Sequence, residues 1–530
     1  MEKSHHFLLL MPKNKKFRSI IILLLLISII LAAINVFASG SDELTIAKPF
    51  GPSVKGPDPA KGSNGWYTSE AGVTETLFVL DFEMNLTPWL VEEFQNISPL
   101  IWEIKLRNGI LFHDKSILDA NAVKWSIERL IDERSEVFNI RTQKMLDIKT
   151  ITIKGSNTLL FETNNPNASF LYYLTSPGTC IISPGSGKDR IFGSGPFVLD
   201  KVIPKEEMIV SRFDGYWGGK AKLAKVNLKI ISNPSTRMLA FEAGQVDVAT
   251  NFPENDVNRV SLRKDVRIYH KPTNRLCFFF VRVADGPFSD PLMREAVNYA
   301  IDRQEIIDTV LAGIGGQLGA SIFPATLPWS KQDLKPYPYD PDRAMELLAE
   351  AGLKDSNGDG ILEMEGRPFS LNMWTYEGRA SLKPILELIQ AQLNRVGINT
   401  RLKVTRTGSP INKAMKEGEV HLNLQMWNAA PEGDPDFFIT NVFTSEGGSN
   451  FMGYQNPELD ELAEKGKVTF DPEERKIIYD RIQKIIYDDS PVIVLFYKSM
   501  ISVAYDYVEG FQIHPAEKCL LTPEIGRKKE

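Results

Sequence analysis

Cysteine is nearly absent from this chain: 530 residues hold only Cys180, Cys277 and Cys519. An odd, sparse set excludes a disulfide framework; one pair stays open and at least one thiol is left over. Histidine is scarce too, and His5, His6, His113, His270, His421 and His514 never pair at metal-binding spacing. With no H-E-x-x-H, C-x-x-C or G-x-S-x-G, the common zinc, redox and serine-hydrolase signatures are missing. Gly185-Ser-Gly-Lys188 is not a phosphate loop either. Ile182 stands where the first Gly belongs and Asp189 where Ser or Thr belongs, so it reads as a surface turn. Positive charge is in deficit, with a net charge of −6, which excludes the basic face that nucleic-acid binding requires. After Val36 no apolar run is long enough to span a bilayer.

The first 38 residues are different. Lys3, Lys13, Lys15, Lys16 and Arg18 against a single Glu2 precede a mostly apolar run from Ile20 to Val36, and Val36-Phe37-Ala38 is a small-residue cleavage site. The expectation is a signal peptide over 1–38, with the remainder working outside the cytoplasm in the periplasm or at the cell surface. An uncleaved N-terminal anchor is the alternative, since about seventeen mostly apolar residues almost cross a membrane. No Cys follows the run, so a lipoprotein anchor is excluded. What remains is too long for one core and should form two lobes; an apolar content of 43% is ordinary for globular protein.

The most informative stretch is Gly193 to Thr250. Three strand-like runs, Phe197 to Lys201, Met208 to Phe213 and Lys225 to Ile231, are followed by a helix that Asn233 caps, Pro234 opens and Gly244 closes. Further on, amphipathic helices dominate, three of them opened by an Asp-Pro pair: Asp290-Pro291, Asp340-Pro341 and Asp471-Pro472. A helical stripe of Ile385, Leu388, Ile389 and Leu393 precedes a strand at Ile398 to Val404, and Pro491 to Tyr497 reads as another strand. This is the rhythm of an α/β protein.

The G-S-G-P-F turn at Gly193, Tyr216-Trp-Gly218, and the spacing of Arg237, Ala240, Gly244 and Asp247 resemble the family 5 solute-binding proteins, the peptide and nickel receptors of ABC importers. Trp102 to Phe112, Asp119 to Arg129, Pro291 to Asp302, Tyr339 to Gly352 and Gly453 to Asp460 are similar to further landmarks of that family, in order, over some 400 residues. The resemblance implies a periplasmic-binding-protein type II fold, the large two-lobe α/β class with a split first lobe: lobe I over 43–273 plus 499–530 and lobe II over 274–498. It implies a monomeric, non-enzymatic receptor that captures a small ligand in the interlobe cleft and presents it to a membrane ABC permease. A surface peptide sensor without transport is the second class; an extracellular hydrolase is the third.

The same resemblance places Trp66 and Tyr67, just before Glu75-Thr-Leu77, on the cleft from lobe I, and Trp427 on it from lobe II. Peptide-binding members hold the ligand ammonium with an acid shortly after that Trp. Here Ala429, Ala430 and Pro431 stand in its place, leaving Glu432 or Asp434 to substitute. Nickel-chelate members use an Arg where this chain has Cys180 and a His where Asn441 to Tyr454 has none, so oligopeptide and nickel complex both stay open as ligands; the Cys180 thiol is a candidate ligand to nickel or another soft metal, with inert packing the alternative. No cofactor is expected. One loop, Asp355-Ser-Asn-Gly-Asp-Gly-Ile-Leu-Glu363, places Asp355, Asn357, Asp359 and Glu363 like the early ligands of a calcium loop. Gly366 stands where the bidentate acid should be, so a metal-free turn and a weak structural calcium site are both open.

Overall fold

The computed structural model describes residues 42–52 and 56–528; the expected leader at 1–38 lies outside them. An eleven-stranded mixed sheet organises the chain. From one edge its order is Asn399–Thr405, Ser370–Tyr376, Leu422–Asn428, Val266–Val281, Val492–Tyr505, Val248–Ala249, Glu43–Lys48, Lys225–Ile230, Glu207–Arg212 and Phe197–Ile203, with Gly316–Leu318 joining Val492–Tyr505. A separate four-stranded antiparallel sheet comprises Val91–Ser98, Ile101–Leu106, Thr158–Thr163 and Ile148–Gly155.

Two strands tie the halves of the large sheet together. Val266–Val281 and Val492–Tyr505 pair antiparallel from Val266↔Tyr505 to Pro272↔Ser499, slip register, and resume from Leu276↔Tyr497 to Phe280↔Val492. Proline cannot donate to the ladder, so Pro272 marks the natural break. The strand expected to end at Tyr497 continues to Tyr505 because its polar stretch Lys498–Ser499 falls at that break. Beyond it, residues 276–281 alternate between two cores. Leu276, Phe278 and Phe280 pack on one face and Cys277, Phe279 and Val281 on the other, which explains an unbroken apolar run. Cys277 is therefore core packing.

The Asp-Pro helix starts work as their chemistry requires. The side chains of Asp290, Asp340 and Asp471 accept from the backbone N–H of Leu292, Arg343 and Glu474, and Asn233 accepts from Thr236. Four further motif residues meet at one point. The buried Glu75 carboxylate accepts from Trp89 Nε1 (2.7 Å), Ser194 Oγ (2.7 Å), Tyr216 OH (2.9 Å) and Trp217 Nε1 (3.1 Å). The glycine before Ser194 is obligatory by close approach, since a Cβ on Gly193 would sit 2.0 Å from the Val73 carbonyl oxygen. Glu75 thus holds the frame together rather than facing the cleft. Arg237 is another frame residue: it is buried, and its guanidinium donates to the carbonyls of Ile231 (2.6 Å), Thr250 (2.9 Å), Ser232 (3.3 Å) and Asn251.

Candidate ligand-binding cleft

A cleft of about 990 Å³ is lined by residues from the central strands of the large sheet, among them Lys48, Arg275, Trp427 and Met500. Its walls come from residues 48–50, 59–70, 139–145, 176–178 and 250–251, from Arg275, Arg379 and 426–449, and from 500–520. Trp66, Tyr67, Trp427 and Glu432 all line it. Trp66 is fixed by its indole N–H, which donates to the Glu517 carbonyl (2.9 Å), and Lys48 lies 5.1 Å from the Tyr67 ring centre. Trp427 is the penultimate residue of the strand Leu422–Asn428; edge-on packing against Phe280 (5.1 Å) and a bond from Nε1 to Gln425 Oε1 (3.1 Å) leave it half-buried against the cleft.

Two expected cleft residues are elsewhere. Cys180 is buried, with its sulfur 3.2 Å from Ser69 Oγ, and burial pushes its thiol above the usual range; it does not line the cleft. Asp434 is buried and committed to Arg475, which binds both its oxygens, and to Ser169 Oγ at 2.8 Å. The divergence from Glu432 arises at Gly433. Its φ of +82° and a Cβ position 2.5 Å from Leu80 Cδ2 favour glycine, and the left-handed turn separates the two neighbouring acids. The calcium reading also needs correction. Among the described residues no group of three or more His, Cys, Asp or Glu is placed to hold a metal. Asp355 accepts from the N–H of Gly358 (2.7 Å) and Gly360 (3.0 Å), and Glu363 accepts from Ser356 N (2.7 Å) and Asn357 Nδ2 (2.9 Å). Asp359 turns back on the N–H of Ile361. The loop satisfies its own acids as an Asp-Gly turn.

Apart from Glu432, sequence reasoning missed the charged residues of the cleft. Lys48, Arg141, Lys144, Arg275 and Arg379 face three carboxylates, Glu70, Glu432 and Glu517, so the cleft is net cationic in a net acidic protein. Lys48 pairs with Glu70. Arg275 pairs with Glu517, its Nε at 2.9 Å and Nη2 at 2.8 Å from Oε1. Arg379 forms no ion pair among the described residues and sits against Tyr376; burial and then the charge of Arg275 lower its proton affinity. Burial pushes the Glu517 carboxyl up, but Arg275 and Arg379 together pull it below the usual range. Two guanidinium groups thus share one carboxylate, and no linear motif marks Arg275, Arg379 and Glu517, which come from three distant stretches. On another wall, the Glu432 carboxylate makes no ion pair among the described residues. Buried Lys518, pushed down to about 8 by burial, responds to its charge but donates to Thr175 O (3.0 Å) and Oγ1 (3.1 Å).

Soft-metal donors are few. Both His514 nitrogens are engaged, Nε2 with Leu80 O (3.0 Å) and Nδ1 accepting from Ala516 N (3.1 Å), and burial lowers the ring to about 4. Cys519 lines the cleft, but burial raises its thiol to about 12 and keeps it protonated.

A deep cleft walled by aromatic rings and by charges left in surplus suits a small solute. The comparisons agree. Residues 85–450 match the bacterial extracellular solute-binding proteins, family 5 Middle, and the chain belongs to that family. It is 29% identical over 456 residues to the glutathione-binding protein GsiB of Escherichia coli K12, covering 83% of this chain and 86% of that one. The nickel ABC transporter structure from Bacillus halodurans superposes with a TM-score of 0.79 at 25% identity, over 92% of this chain and all of that one. The oligopeptide-binding protein AppA of Bacillus subtilis, in complex with a nonapeptide, shares the fold at a TM-score of 0.70 and 22% identity, over 91% of this chain and 99% of that one. The type II binding-protein architecture is thereby shown, and the protein is a carrier rather than an enzyme. No helix among the described residues is long and apolar enough to cross a membrane.

Proposed function

We propose that this protein captures a short peptide with free termini, closes two lobes over it, and delivers it to a membrane ABC permease. The lobes are 43–273 with 499–530, and 274–498; the register slip after Pro272 supports a hinge there. The observation that carries the ligand assignment is the surplus guanidinium. Glu517 answers one of Arg275 and Arg379, and the other awaits an anion, which a peptide carboxylate supplies in fork geometry. Glu432 offers the complementary charge to the ammonium, and Trp66, Tyr67 and Trp427 supply flat apolar walls between. The cleft volume lies at the upper end of the roughly 300–1,000 Å³ usual for small-ligand sites, which suits a few residues of peptide. Likeness to a glutathione-binding relative supports the same ligand class. A nickel complex has the Bacillus halodurans likeness in its favour. The scarcity of available His or thiolate donors speaks against direct coordination here.

Native mass spectrometry of the purified protein tests the assignment. A bound mass of a short peptide is expected, displaced in the Arg379→Met variant; a nickel-containing mass in its place overturns the peptide reading.

A further inference from the structure

A cluster of buried titratable groups lies outside the cleft. Asp434 and Asp436 flank Pro435 at the start of helix Asp436–Val442, Arg475 and Tyr479 lie on helix Pro472–Asp489, and Ser169 and Tyr173 bracket the short helix Phe170–Tyr173. All six are buried. Ser169 and Tyr173 belong to the proposed lobe I and the other four to lobe II, so the cluster straddles the seam. Ser169 is inserted into the ion pair itself. Its hydroxyl donates to Asp434 Oδ1 (2.8 Å) and accepts from Arg475 Nη2 (2.6 Å). Tyr173 OH donates to Asp436 Oδ2 (2.7 Å), and Tyr479 OH lies 3.4 Å from Oδ1 of the same carboxylate. Around them Ala168 N donates to Lys467 O (2.8 Å), and Phe470 packs on Trp102 with ring centres 6.0 Å apart.

We propose that Ser169, Tyr173, Asp434, Asp436 and Arg475 form a clasp that positions the lobes in the closed form and takes up a proton at Asp436 on closing, so that capture responds to pH. The proposal rests on the two-lobe reading above. Its basis is charge: two carboxylates and one guanidinium leave one negative charge in surplus inside a seam without bulk water. Lys467 acts on Asp436 only at a distance, and Tyr172, Tyr173 and Tyr479 add no positive charge. Burial, then the neighbouring Asp434, push Asp436 up to about 6, against the opposing bond from Tyr173 and the charge of Arg475. With the lobes apart, Asp436 meets water and ionises as an ordinary aspartate. The closed form therefore holds one more proton between the ordinary aspartate range and about pH 6, and acidification favours closure.

Small-angle X-ray scattering of the purified protein at pH 5 and pH 8 tests this. The expected result is a smaller radius of gyration at pH 5 without ligand, a pH-independent compact radius in Asp436→Asn, and a larger radius at pH 5 in Ser169→Ala. Ser169→Ala removes one hydroxyl and keeps the test readable if Asp436→Asn fails to fold, which a thermal melt reports. A pH response surviving in Asp436→Asn, or a wild-type radius in Ser169→Ala, overturns the clasp. If those variants behave as wild type while tri-alanine with glutathione still compacts the protein, the clasp falls and the hinge stands. If pH, these ligands and every variant leave the radius unchanged, the hinge falls with it.

Discussion

Glu432 and Asp434 are two residues apart and have opposite environments. Glu432 ends a cleft wall with its carboxylate unclaimed by any cation among the described residues; Asp434 begins the seam with both oxygens bound by Arg475 and Ser169. The cleft keeps charges in surplus so that a ligand can complete them, whereas the seam pairs Asp434 with Arg475 internally and leaves Asp436 to a proton. Changes in the cleft should therefore move affinity and leave stability, whereas changes in the seam should move stability directly and affinity only through the closed population.

The largest effect is expected in the seam. Arg475→Met strands Asp434 in a buried site, and breaking such a pair costs about 3–5 kcal/mol, read as a lower urea midpoint; an unchanged midpoint would erase the distinction between the two regions. The next concerns pH. Because the folded Asp436 carboxyl is raised to about 6, its contribution to stability is complete below the ordinary aspartate range and is lost as pH rises through about 6. Its size is on the order of 3 kcal/mol, and Asp436→Asn should flatten that slope in denaturation measured from pH 4 to 7.

In the cleft, Arg379→Met should weaken tripeptide binding by about thirtyfold, roughly 2 kcal/mol, by calorimetry. Its melting temperature should hold, because the guanidinium is desolvated and repelled by Arg275. Glu432→Gln should lose about tenfold for peptides with a free amino end and nothing for N-acetylated ones. The smallest effect is in the Asp355 loop, where millimolar calcium should leave the melting temperature unchanged. A clear rise would restore the metal reading.

Much of the fold was legible because local chemistry dictates it. Asp-Pro pairs announced helix starts by capping, and Gly193, Tyr216 and Trp217 marked the frame that closes on Glu75. The aromatic walls were legible through the family resemblance, which placed Trp66, Tyr67 and Trp427 on the cleft. Charge placement was not. Nothing local distinguishes Glu432 from Asp434, because their fates are decided by a left-handed Gly433 and by an Arg475 forty-one residues away. Arg275, Arg379 and Glu517 meet only in three dimensions, from the crossing strand, a loop after Ser370–Tyr376, and the C-terminal stretch. Cys180 misled because position in a motif says nothing about which way a thiol points.

The central claim is that one guanidinium of the cleft is held in reserve for the carboxylate of a peptide. Calorimetric titration with a pool of tripeptides as free acids, set against the same pool as C-terminal amides, tests it most directly. The free acids are expected to bind one to one and the amides at least tenfold more weakly; equal binding of the two pools would contradict it.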